Sequence, residues 1–438
     1  MIYDLVIYNG TILTENETDD VIANGLICIK GARLARIESR PPDTPLPVAA
    51  ETIDAAGGLI MPGLVNTHTH LPMTLFRGLA DDLPLDTWLN QYIFPAEQKM
   101  DADFVFTGTL LACAEMILSG TTTFCDMYLF EDAVARAVHQ AGMRCLVGEV
   151  LYDFPSPNYG PIDAGLAYTE RLIQKWGDDP LVSVAVEPHS LYTCSPDLLL
   201  KTHELAVRHD VPLIIHLAES VAENDEVVKR YGQRPVAHLS SLGLLTPRLI
   251  ADHVVHVDSV EMDMLAQAGV RVVHNPESNL KLASGISPVS DLVSRHIPVG
   301  LGTDGCASNN NLDLFGEMDT AAKLAKVSTL DPTVLNAQTV LRMATIEGAR
   351  VLGMTDQIGS LEIGKQADVI VIDTHKPHLT PLYNPYSQMV YSATGQDVRH
   401  VIIDGRMVME DRRLLTLDTM EVLSRAEEKA ALVREWVI

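Results

Sequence analysis

The sequence predicts an α/β protein: a (β/α)8 barrel with a small β-sandwich domain built from both chain ends. Three observations carry this expectation. Strand-like apolar runs alternate with helical stretches between about Pro62 and Gly359. At both chain ends the texture changes to short β-branched runs broken by Gly and Asn. No Gly-x-Gly-x-x-Gly follows any strand, which weighs against the alternative, a doubly wound open sheet.

Taken in order, residues 3–8, 11–13, 26–29 and 34–38 read as strands of a small antiparallel sheet. The strand-like segments of the middle region are 64–70, 121–126, 144–150, 182–189, 211–216, 252–257, 270–274 and 298–304, with helices such as 101–119, 196–209 and 259–268 between them. The sheet texture returns at 367–373, 398–404 and 406–410, where Ile403-Asp404-Gly405-Arg406 marks a tight turn, and 421–437 is an amphipathic helix. The expected division is therefore 1–61 and 361–438 for the sandwich and terminal helix, with 62–360 for the barrel. Residues 71–100 are far longer than an ordinary connection between strand and helix, and a lid is expected there.

Composition narrows the function. The chain has 438 residues, 47% of them hydrophobic, enough for a large core. No basic and apolar leader opens it and no apolar run reaches the ~18 residues of a membrane span, so the cytoplasm is the expected compartment. Six scattered cysteines without a Cys-x-x-Cys suit reduced, buried thiols. A net charge of −26, from 58 acidic and 32 basic residues, disfavours nucleic acid as a partner and favours a neutral or cationic small molecule. A homo-oligomer is compatible with this composition.

The chemistry concentrates where strands end. Leu64-Val65-Asn66-Thr67-His68-Thr69-His70 follows the turn Met61-Pro62-Gly63, and residues i and i+2 of a strand share a face. His68 and His70 can thus aim at one ion at ~2.0–2.1 Å, the other reading being a plain core pair. In a barrel the C-terminal strand ends meet at one mouth, and here they carry His189, His216 with Glu219, His253, His274 and Asp304 as well. His274, before Asn275-Pro276, reads equally as a structural turn residue, His256 as facing the helix layer, and the other histidines fall in helices or loops and read as structural.

These segments resemble the amidohydrolase superfamily. Pro62 to His70, His216-Leu217-Ala218-Glu219, His274-Asn275-Pro276-Glu277-Ser278-Asn279-Leu280-Lys281-Leu282 and Leu301-Gly302-Thr303-Asp304-Gly305 are similar to the branch that contains 5-methylthioadenosine/S-adenosylhomocysteine deaminases and triazine chlorohydrolases. The resemblance covers nearly the whole chain. It implies His68, His70, His216 and Asp304 as metal ligands, Glu219 as proton shuttle and His253 as the group oriented on the attacking water. Glu97 and His189 match the family's nucleoside contacts. The ligand set suits zinc first and iron or manganese next, one ion per subunit, since no lysine ends a strand to bridge a second.

The implied activity is hydrolytic removal of the 6-amino group of an adenosine-type nucleoside. A divalent metal lowers its water's pKa towards ~7, Glu219 can protonate a ring nitrogen, and Asp304 can pass the water's proton to the departing amine. In the expected lid, Trp88 offers an indole to cover a flat ring, or else packs, and Glu97 offers a carboxylate to two vicinal hydroxyls. No Gly-x-Ser-x-Gly elbow or Cys/His pairing points to a covalent nucleophile. Two alternatives stay open: a hydrolase of the same branch acting on guanine, cytosine or a chlorotriazine, and a non-catalytic binding protein. The chain departs from the family in one place. Members that recognise S-adenosylhomocysteine well can use arginines after the Gly-Met-Arg strand, whereas Gly142-Met143-Arg144 leads here through Glu149 to Asp153-Phe154-Pro155. That favours a 5′-methylthio or unsubstituted nucleoside over one bearing an amino acid, unless Arg171 or another chain supplies the charge.

Overall fold

Strands whose residues are buried on both faces form the centre of the molecule. The computed structural model describes residues 2–41, 43–83 and 85–437. Every residue of Thr121–Tyr128 and of Arg144–Leu151 is buried, as expected of parallel strands covered by helices on both sides. These two pair in parallel, Leu64–Thr69 joins Thr121–Tyr128, and Val182–Val184 and Glu187–Pro188 join Arg144–Leu151. A second parallel sheet runs Leu213–Leu217, Leu249–His253, Arg271–His274, Val299–Leu301. The sheets touch at both margins. Parallel bridges link Val186 to Leu213 and Ser190 to His216. On the other side the Asp304 N–H donates to the His68 carbonyl at 3.0 Å, and Thr67 Oγ1 donates to the Leu301 carbonyl at 2.8 Å.

The helices between the strands start and stop on local signals. Pro196–His209 begins on Ser195, whose Oγ accepts from the Leu198 N–H, with a proline in its first turn. Ser259–Ala268 begins on a reciprocal Asp258–Glu261 capping box and ends on Gly269 at φ +69°, where a side chain would be strained. Among the described residues no helix is long and apolar enough to cross a membrane.

Among the described residues the two chain ends meet in one hydrogen-bonded sheet of nine strands. Tyr3–Leu13 is a single bulged strand where two short ones were expected, and it pairs with Val21–Lys30 on one side and with Ala49–Asp54 and then Leu59–Pro62 on the other. The halves join where Leu59–Pro62 runs antiparallel to Val369–Ile372, which leads on to Val398–Ile403 and Arg406–Glu410. A separate apolar cluster that includes Ile7, Ile27, Ile53, Val369 and Ile402 fills this part of the molecule. The helix Thr419–Val437 then returns to the long connection 71–100, where Lys99 Nζ donates to the Trp436 carbonyl at 2.9 Å and the Trp436 ring lies 5.2 Å from Phe104.

Arg144 ties the two parts together. Its guanidinium is buried and contacts Asp368 at 3.1 Å and Asp404 at 3.2 Å. Because Asp368 is also buried, truncation of the arginine strands a carboxylate away from water. Arg144→Met is therefore expected to cost about 3 kcal/mol in urea-denaturation experiments.

Two elements differ from the sequence reading for a backbone reason. The strand expected at 252–257 is Leu249–His253, because His253 and Val254 turn the chain at φ +70° and +45°. The run 182–189 is split into Val182–Val184 and Glu187–Pro188.

Candidate metal centre and its cavity

Three imidazoles converge at the ends of Leu64–Thr69 and Leu213–Leu217. Ligating atoms of His68, His70 and His216 all lie within 4.8 Å of one another. Each ring is held from behind, as ligating histidines require. His70 Nδ1 lies 2.5 Å from the Met127 carbonyl and His216 Nδ1 2.9 Å from the His189 carbonyl. His68 Nδ1 lies 3.3 Å from Asp252. That leaves the Nε2 atoms for the centre, where Asp304 Oδ1 stands 3.1 Å from His70 and 3.6 Å from His68. The other Asp304 oxygen accepts from Ser278 Oγ at 2.6 Å and Ser308 Oγ at 2.9 Å.

These residues fit a divalent ion. His68 Nε2, the nitrogen turned to the centre, is buried without a hydrogen-bond partner, a cost that a metal bond would remove. Burial pushes the His68 pKa down to about 4 and that of His216 well below its ordinary value, so both rings are neutral, the form that ligates. Three imidazoles and a carboxylate are donors that zinc accepts.

A cavity opens above this centre, and the long connection closes it. Its walls include Trp88, Phe94 and Glu97 from residues 71–100, Tyr128, Tyr152 and His189 from the strand ends, Tyr192 from the turn that follows Glu187–Pro188, and Glu219, His253 and Asp304 at its polar floor. All nine residues expected in the site are thus brought together, His68 lying beneath the others. The Ala218 backbone is left-handed at φ +53°, and the chain thereby leaves its strand with Glu219 at the cavity, where Ser284 Oγ donates to Glu219 Oε1 at 3.3 Å. His253 Nδ1 lies 2.9 Å from Asn279 Oδ1, and His189 Nδ1 lies 2.9 Å from Thr193 Oγ1. Glu97 is buried, which pushes its pKa up to about 7, and it accepts from the Tyr128 hydroxyl at 2.7 Å. His274 is buried but does not line the cavity, and His256 is turned to the Ser284 carbonyl at 2.6 Å.

Sequence reasoning passed over Tyr128, Tyr152, Tyr192, Ser278 and Ser308. Only Tyr128 carried a usable signal, since it shares a strand face with Asp126, two residues earlier. In the loop after Arg144–Leu151 the sequence suggests that Phe154 and the neighbouring prolines pack against a methylthio group, and the structure differs. Phe154 is not in the cavity wall; it stacks behind Tyr152 at 3.8 Å and faces Phe94 at 6.0 Å. Asp153 is bound to the Ser195 N–H and lines a neighbouring groove with Arg230, while Arg171 lies over the Tyr168 ring.

Residues 59–408 match the Amidohydrolase family. The chain is 58% identical over 431 residues, 98% of each chain, to a 5-methylthioadenosine/S-adenosylhomocysteine deaminase of Syntrophobacter fumaroxidans. It is 48% identical over 413 residues, 94% of this chain and 95% of the other, to a 5′-deoxyadenosine deaminase of Methanothermobacter thermautotrophicus. Among solved structures it is similar to an adenosine deaminase from Xanthomonas campestris with bound zinc, with a TM-score of 0.97, 40% identity and 99% of each chain covered.

Proposed function

The chain belongs to the amidohydrolase family, and from that premise we propose that it is a zinc-dependent hydrolase that converts the 6-amino group of adenosine-type nucleosides to a carbonyl, releasing ammonia. The observation that carries this is the joint placement of three imidazoles and two carboxylates: His70, His216, Asp304 and Glu219 on the floor of one aromatic-walled cavity, with His68 against them. We read the two parallel sheets, bridged at both margins, as arcs of one (β/α)8 barrel spanning 62–360. We read the nine-stranded sheet, with its own apolar cluster, as the small sandwich domain of 1–61 and 361–438. The six cysteines are free and buried, which suits the cytoplasm.

His68, His70, His216 and Asp304 would hold the ion, with iron or manganese as other occupants of the same donors. When bound there, a divalent ion makes hydroxide available from water at neutral pH. The residues then divide the proton traffic. Glu219 gives a proton to the ring nitrogen beside the carbon under attack, which makes that carbon electrophilic. Asp304 takes the water's proton and delivers it to the departing amine, so that the ring leaves as the inosine analogue and nitrogen as ammonia. His253, steadied by Asn279, orients the water. Trp88 covers the ring, His189 contacts it, and Glu97 receives the ribose hydroxyls, its carboxylate fixed by Tyr128.

The deciding experiment is ammonia release from a panel of purines, pyrimidines and nucleosides by the zinc-loaded protein. Turnover of adenosine-type nucleosides is expected, and a preference for guanine, cytosine or a chlorotriazine would replace this reading with the alternative of the same branch. Glu97→Ala is expected to raise KM for ribonucleosides about tenfold, as loss of a charge-assisted hydrogen bond does. Undiminished activity on adenosine analogues would remove Glu97 from the ribose.

We further propose that the apolar wall of Trp88, Leu89, Phe94 and Tyr152 selects a small or thioether 5′ substituent. Steady-state kinetics should give a higher kcat/KM for 5′-methylthioadenosine or adenosine than for S-adenosylhomocysteine. The reverse order would show that a cation such as Arg230 reaches the substrate.

A further inference from the structure

Glu223 opens the helix Val221–Tyr231, whose N-cap is Ser220, at its third position. The Ser220 hydroxyl accepts from the Glu223 N–H at 3.1 Å, which is half of a capping box. The other half is not what a capping box would give. A glutamate at this position ordinarily reaches back to the N-cap N–H. Here its carboxylate reaches farther. Oε1 accepts from the Ala218 N–H at 3.0 Å and Oε2 from the Glu219 N–H at 2.8 Å. Both oxygens of one buried carboxylate are therefore spent on the two consecutive amides of the turn that launches Glu219. The same turn is held from its other side, since the Ala218 carbonyl accepts from the Val255 and His256 N–H groups at 3.1 and 2.9 Å.

That turn has reason to need holding. Ala218 is an L-residue in the left-handed region at φ +53°, a sterically disfavoured conformation that persists only where surroundings impose it. If Ala218 relaxes towards the ordinary region, the Cα–Cβ direction of Glu219 rotates with it. A displacement of about 1 Å at a proton-transfer group is enough to cost on the order of 10²-fold in rate.

We infer that Glu223 is a positioning residue of the deamination: by binding the Ala218 and Glu219 amides it holds the strained turn that aims the Glu219 carboxylate at the substrate ring. The inference rests on the reading of Glu219 as the proton donor. Glu223 itself is absent from the cavity wall and touches no reacting atom. Its effect must therefore pass entirely through Glu219.

A double-mutant cycle on the zinc-loaded enzyme tests this. Glu223→Ala should lower kcat about 10- to 100-fold with KM for adenosine within about threefold and metal content unchanged at one ion per chain. Glu223→Gln, which keeps the size of the side chain but presents one acceptor and one N–H₂ group to two donors, should fall between it and the parent, and serves if the alanine variant does not fold. In a Glu219→Gln background neither change should lower kcat further. An equal loss in that background, a rise in KM without loss of kcat, or loss of metal overturns the inference. If Glu219→Gln alone turns over at a near-normal rate, the assignment of Glu219 fails and this inference with it; if Glu219→Gln is impaired and the losses multiply, only the role of Glu223 fails.

Discussion

Asp304→Asn or Asp304→Ala is expected to leave no measurable turnover. The carboxylate is asked to serve two ends at once. Its Oδ1 stands among the imidazoles, 3.1 Å from His70 Nε2, and also accepts from the Gly305 N–H at 2.8 Å, while Oδ2 is fixed by Ser278 and Ser308. Four groups thus hold a residue that also sits at a left-handed φ of +60°, a strain tolerated where position matters more than comfort. Asparagine retains the shape, yet it removes the negative charge that complements a divalent ion and cannot take up the water's proton. Ammonia release assayed beside metal content separates the two losses. A protein that holds one ion per chain and is still inactive isolates the proton-carrying role, and near-normal turnover in either variant would refute both.

Glu219→Gln is expected to lower kcat by ~10²–10⁴-fold, the range for loss of a positioned general acid or base. The glutamine can still accept from Ser284 and fill the same space, so folding and metal content should match the parent. What it cannot do is lend a proton to a ring nitrogen. KM should change little, because the interaction lost is one made chiefly as the ring carbon becomes tetrahedral. A variant with a large KM defect and intact kcat would make Glu219 a binding group instead.

The parts of this site that were legible in the sequence are those where backbone geometry forces a spacing. His68 and His70 alternate along a strand and must share a face, and Glu219 and Asp304 follow their strands within a residue or three, so strand ends alone brought them together. Hydroxyl groups carry no such rhythm. Ser278, Ser308 and Tyr192 reach the site from loops and short helices whose path is set by tertiary packing. The 152–154 loop was misread because the chain bends just past its strand and breaks the alternation: residues 152 and 154 would share a face in a strand, yet Tyr152 lines the cavity and Phe154 stacks behind it. Left-handed residues other than glycine, such as Ala218, His253 and Asp304, are not marked by residue type as a left-handed glycine is, and they set both the end of the 249–253 strand and the aim of two site residues.

The pairing of Leu59–Pro62 with Val369–Ile372 has a consequence for how the chain is made. A ribosome adds about 5–20 residues per second, so the first strands wait roughly 15–60 s for the partner that completes their sheet, while the roughly 300 residues of the catalytic part emerge and fold between them. Throughout that interval Leu59–Pro62, whose residues are wholly buried in the finished protein, is an uncovered apolar edge able to pair with any other nascent strand. Recombinant yield should therefore fall at high rates of synthesis and recover when translation is slowed or chaperones are supplied, and chains that stop before residue 369 should be found in inclusion bodies rather than as shortened enzymes.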